Sequence, residues 1–233
     1  MTIGIDPQGW GEGSTKDISE ILNSVYRVFI PYFQDKMNSH DLLIAHSIDH
    51  PITYRLHNLI LLSAHDRYWC NYAYQFAHEL CHFQIPSEVP QQLRWFEESI
   101  CELASYYFLP RISSLWKTDP PYPSWITYSD AFTTYVQEEK KKNEPFDLNL
   151  LTNVSVSAHL VSNEYDRGKN AFIALKLLPI FESVPDLWSS VHLLSSIPEG
   201  LSIADSLRYW YNLAPEKHHG SIQKILHVFS FEI

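Results

Sequence analysis

Two segments free of glycine and proline, 68–83 and 91–109, follow one another in this 233-residue chain across a short loop holding Pro86 and Pro90. Proline removes a backbone donor and restricts the residue before it. Ile85-Pro86 is therefore expected to end the first segment and Pro110 to close the second. Both run far past the usual strand length of about 5–6 residues and suit helices of about four to five turns.

The rest of the chain sorts around that pair. Residues 1–13 hold four of the seven glycines and read as an irregular lead-in. Ser14 or Thr15 then caps a helix whose apolar positions Ile18, Ile21, Leu22, Val25, Val28, Phe29 and Phe33 recur at threes and fours. Short runs at 42–45, 52–56 and 58–63 read as strands, interrupted by Asp49-His50-Pro51 and around His57. Past Pro110, a break at Pro120, Pro121 and Pro123 is followed by helical patterns near 124–141, 167–181, 186–194, 203–211 and 221–228. The expectation is an α+β protein. A small, mostly antiparallel sheet lobe (1–66) is followed by a mainly helical lobe (67–233) in one compact catalytic unit, with the active-site helix at the seam.

Composition removes several partners. Seventeen Lys and Arg against 27 Asp and Glu give −10, and such a surface repels phosphate backbones, so no nucleic acid is expected. The basic run Lys140-Lys141-Lys142 follows Glu138-Glu139 and suits a helix C-terminus, where cations complement the dipole. Three cysteines are too few and odd in number for a disulfide framework, which indicates a reducing compartment. No basic stretch followed by an apolar core opens the chain. Apolar runs such as Leu59-Ile60-Leu61-Leu62 are far shorter than the roughly 20 residues of a membrane span. These features predict a cytoplasmic protein without a membrane partner.

The chemistry is concentrated in His78-Glu79-Leu80-Cys81-His82, which matches H-E-x-x-H. Two histidines four apart share a helix face, with Cβ atoms about 5–6 Å apart, so both imidazoles reach one ion. Neutral imidazole suits Zn2+, and a catalytic zinc keeps one position for water. Glu79, beside the first histidine, is placed to accept that water's proton as general base. A third ligand is sought on the following helix, where Glu97, Glu98 and Glu102 are the candidates. Glu97 and Glu98 stand about 100° apart and cannot both face one ion, whereas Glu98 and Glu102 share a face. The surrounding Trp95, Phe96, Ile100 and Cys101 are apolar, and buried carboxylates there call for a partner such as a metal.

These residues resemble the gluzincin metallopeptidases, in which an H-E-x-x-H helix is followed by a helix donating a glutamate. The stretch Trp95-Phe96-Glu97-Glu98-Ser99-Ile100-Cys101 is similar to the W-L-x-E-G-x-A segment of aminopeptidase-like members, with Ser99 for the usual glycine and Cys101 for the usual alanine. Glu102-Leu103-Ala104-Ser105 also resembles the E-x-x-S segment of thermolysin-like members. The resemblance spans about residues 58–109 and implies a zincin-like fold, His78, His82 and Glu98 as metal ligands, and Glu79 as the base. It further implies that the strand ahead of the helix, 58–63, is an edge strand binding the substrate backbone. A tyrosine or histidine later in the chain would steady the tetrahedral intermediate. Tyr165 is the candidate, ahead of His159, His192, His218 and His219, while Cys81 and Cys101 are expected as core thiols.

The resulting expectation is a zinc-dependent peptidase acting on a peptide or protein substrate. Its alternative is a zinc-containing binding or regulatory module of the same fold that lacks general proteolysis. A third is a structural zinc closed by Cys101 or Glu102.

Overall fold

The computed structural model of the protein describes residues 2–33 and 41–232. Packing divides the chain into two compact units, neither continuous in sequence. One comprises Met1–Gln84 and Ala104–Glu139, the other Ile85–Leu103 and Lys140–Ile233. The lobe boundary expected after residue 66 falls inside the first unit.

In the first unit the supposed lead-in contains a strand, β1 (Ile3–Ile5). Helix α1 (Thr15–Phe29) follows, capped by Ser14, whose Oγ accepts the Asp17 N–H at 3.1 Å. Its expected inward stripe is buried at Ile18, Ile21, Leu22, Val25 and Phe29, while Val28 is only half-buried. Phe33, just beyond, stacks on Phe29 with ring centroids 4.3 Å apart. Strands β2 (Leu42–His46), β3 (Ile52–Tyr54) and β4 (Leu59–Leu62) complete a four-stranded sheet in the order β1-β2-β4-β3.

The sheet is mixed rather than mostly antiparallel. β1 pairs parallel with β2 (Ile3↔Leu42) and β2 parallel with β4 (Leu43↔Leu59), and only β3 and β4 are antiparallel (Thr53↔Ile60). The reason lies in the connections. A helical crossover through α1 returns the chain in the direction of β1, as parallel pairing requires. The β3–β4 connection is instead a tight 3-10 turn over Arg55–His57, ended by Asn58 in the left-handed region at φ 48°. β4 is thus paired on both sides, and among the described residues β3 is the outer strand. The segment 58–63, expected at the substrate-side edge, is internal. Leu42, Ile44, Ile60 and Leu62 are buried on one face, and Leu43 between them is 46% exposed on the other, as a period of two demands.

Helix α2 (Trp69–Gln84) ends just before Ile85-Pro86, as expected. Helix α3 (Arg94–Trp116) does not stop at Pro110 but runs through it. An interior proline costs about 3 kcal/mol or more. Continuing the helix buries Ile112 and Trp116 completely, at about 1.5–3 kcal/mol for each large apolar side chain. The Arg111 Nη1 donates to the Tyr107 carbonyl at 2.6 Å in the turn the proline disturbs. The Trp116 indole N–H donates to Ser24 Oγ on α1 at 2.9 Å, which fixes the end of α3. Helix α4 (Ser129–Lys140) follows a 3-10 stretch over Pro123–Tyr128 and ends on the expected lysine.

The second unit is helical. It contains α5 (Val154–Ser162), which sequence patterning missed, α6 (Arg167–Ser183), α7 (Ile203–Leu213) and α8 (Glu216–Val228). The segment expected as a helix at 186–194 is a longer 3-10 stretch, Pro185–Ser196. Trp95 and Phe96, at the start of α3, pack edge-on against Phe229, and Phe96 against Trp210. The protein is therefore α+β, with a small mixed sheet and a mainly helical remainder. Among the described residues no helix is long and apolar enough to cross a membrane.

Candidate metal centre

Helix α2 carries the motif in its last two turns. The His78 and His82 rings lie 5.0 Å apart between centroids, and their Nε2 atoms face each other at 3.2 Å. His82 is buried and His78 half-buried.

The alignment of α2 with α3 follows from spacing. Ser105 Oγ donates to the Tyr74 carbonyl at 2.8 Å, joining the two helices one turn before His78. Positions 74, 78 and 82 form one stripe on α2, and 98, 102 and 105 one stripe on α3. From Ser105 back to Glu98 is seven residues, or about 10.5 Å of helix, and from Tyr74 forward to His78 and His82 is about 6 and 12 Å. Ligand atoms of His78, His82 and Glu98 all lie within 4.8 Å of one another, so the three could hold a metal ion. Among the described residues this group includes neither Glu97, Glu102 nor any cysteine. Cys81 and Cys101 are both buried, as expected of core thiols.

Glu79 is only 4% exposed, and its carboxylate is engaged rather than orphaned. Thr53 Oγ1, on β3, lies 2.8 Å from Glu79 Oε2 and 2.9 Å from the Glu79 carbonyl oxygen. In the 3-10 turn just after the strand, Arg55 Nε donates to the His82 carbonyl at 2.9 Å, with Nη2 3.4 Å from His82 Nδ1. Thr53, on the outer strand, and Arg55, in the turn that follows it, thus both tie this segment to the motif helix. Sequence reasoning missed both. For Thr53 the available signal was the period-two alternation that separates it from Ile52 and Tyr54.

Tyr165 is 70% exposed, yet desolvation of its phenol, reinforced by the negative charges of Glu98 and Glu164, pushes its pKa up to about 12. It is therefore a neutral hydrogen-bond donor at pH 7, within the electrostatic field of Glu98. Glu164 beside it pairs with Arg94 at 3.8 Å. The other histidines considered for its role have separate partners. His159 approaches Asp166 at 3.6 Å, His192 Nδ1 donates to the Ser189 carbonyl at 2.8 Å, and His219 Nε2 donates to the Ala214 carbonyl at 3.0 Å. His218 lies between Ser190 Oγ (2.7 Å) and Asp186 Oδ2 (3.1 Å). That Ser-His-Asp set is no nucleophile, because Ser190 is fully buried while the carboxylate is the exposed end.

Comparison with protein-family models, curated proteins and solved structures finds no significant match for this chain.

Proposed function

We propose that this protein is a zinc-dependent peptidase of gluzincin type, with His78, His82 and Glu98 holding the ion and Glu79 acting as general base. The observation that carries this reading is the convergence of the two Nε2 atoms at 3.2 Å. Two nitrogens bound to a tetrahedral zinc at 2.0–2.1 Å stand about 3.3 Å apart, so the imidazoles need almost no rearrangement. With three protein donors among the described residues, a tetrahedral ion would keep one position for water, the pattern of catalytic rather than closed structural sites.

A zinc ion bound there would polarise the scissile carbonyl and lower the pKa of an attacking water toward about 7. Glu79, buried and fixed by Thr53, takes the proton from that water and later delivers it to the leaving amine. Tyr165, neutral at the working pH, supplies a donor to the oxyanion. A peptide would add as a strand along β3, the outer strand of the sheet, where Thr53 and Arg55 reach the motif helix.

The test combines zinc analysis with hydrolysis of an internally quenched peptide library. Wild type is expected to carry one zinc and cleave peptides. Glu79→Gln is expected to keep the zinc and lose about 10²–10⁴-fold in rate. A protein without zinc after zinc is supplied would defeat the reading. Stoichiometric zinc without any cleavage would replace it by the binding or regulatory module.

A further inference from the structure

We infer that Thr53 is a positioning residue for the general base, an inference that rests on the peptidase reading above. β3 is held in register by β4, with Thr53 opposite Ile60, and its alternation turns Ile52 and Tyr54 to the other face. Threonine is stiff about χ1, so the strand sets the direction of its hydroxyl. That hydroxyl has one proton and two acceptors on the same residue, the Glu79 carbonyl at 2.9 Å and carboxylate Oε2 at 2.8 Å. The Oε2 contact is the shorter of the two, so the proton is directed to Oε2 and Oε1 is left to meet the water. A hydroxyl serving only to dock β3 on α2 would need the carbonyl alone. The bond to the ionisable group is what assigns Thr53 to the chemistry.

The position couples two events. Thr53 lies on the strand whose outer side a peptide substrate would pair with, and its side chain restrains the carboxylate that must act on that peptide. A small displacement of β3 would therefore misdirect Glu79.

Thr53→Val keeps the shape and removes the donor, whereas Thr53→Ser keeps the donor, and both are to be compared with wild type. Zinc content is expected to be unchanged in all three proteins. On the quenched peptide that wild type cleaves best, Thr53→Val should lower kcat about 10–100-fold with KM within about twofold, and Thr53→Ser should return kcat to within a few fold of wild type. Crystal structures should show one Glu79 rotamer in wild type and Thr53→Ser, and a displaced or divided one in Thr53→Val. Equal kcat in wild type and Thr53→Val, or an unmoved Glu79 in Thr53→Val, would overturn the inference. If wild type carries zinc but cleaves nothing, the peptidase reading fails separately, and the Glu79 rotamer alone decides whether Thr53 positions it.

Discussion

Zinc should raise the melting temperature of the wild-type protein by about 8–16 °C at a free concentration of 1,000 times its Kd, and leave His82→Ala unmoved. The magnitude follows from the site. The two Nε2 atoms already stand 3.2 Å apart, against about 3.3 Å for a tetrahedral zinc, so little binding energy is lost to rearrangement. An ion that binds only the native state stabilises it by RT ln(1 + [L]/Kd), about 4.1 kcal/mol at that concentration. In a chain of this size each kcal/mol moves the midpoint by about 2–4 °C. His82→Ala removes one of the three donors and opens a cavity where a largely buried ring stood, so its metal-free form melts lower than wild type. The decisive quantity is therefore the difference between metal-free and zinc-loaded midpoints for each protein. Scanning calorimetry on chelator-stripped samples in zinc-buffered solution measures it. An equal zinc-induced shift in both proteins, or none in wild type with bound zinc present by elemental analysis, would refute the assignment of His82 and the preformed geometry behind it.

Two further perturbations separate neighbouring roles. Glu98→Ala should empty the site, while Glu102→Ala, outside the ligand group, should weaken zinc by at most about 10–100-fold, as equilibrium titration will read. Asp166 caps α6 by accepting the Lys169 N–H at 3.2 Å and pairs with its ammonium at 2.6 Å. Burial pushes the Asp166 carboxyl up, but these Lys169 contacts outweigh it and hold the group below its ordinary value. Its stabilisation is thus complete above the ordinary carboxylate pKa of about 3.9 and is lost as pH falls through the lowered folded value. Asp166→Asn should be about 0.3–1 kcal/mol less stable to urea at pH 6, a deficit that closes on acidification.

What was legible in the sequence was what local geometry carries. The His78–His82 pair needs only the rise and rotation of one helix, and Glu98 shares its stripe with Glu102 and Ser105 at i, i+4 and i+7. The cap at Ser14 and the inward face of α1 are local in the same sense. The end of α3 was not, because a proline predicts a stop by local strain alone. Whether the helix pays that strain depends on Trp116 finding Ser24, 92 positions away in sequence. Nor could β1 be seen, since Ile3, Gly4 and Ile5 become a strand only by pairing with Leu42, Leu43 and Ile44. Thr53 and Arg55 belong with these misses, for their partners lie 26 and 27 residues away on α2.

The missed pairing alters the chemistry as well as the topology. A strand that leads directly into the motif helix is the natural candidate for the substrate side when the sheet is taken as a simple meander. Here β4 has β2 on one flank and β3 on the other, so both of its hydrogen-bonding edges are occupied. An extended peptide can then lengthen this end of the sheet only beyond β3. Because β3 runs against β4, a peptide adding antiparallel to β3 would run in the same sense as β4 and β2. It would pass along Ile52, Thr53 and Tyr54, and the middle residue of those three bonds Glu79, the proposed general base. The outer strand on which a peptide would pair and the strand that bonds Glu79 are, in this arrangement, one and the same.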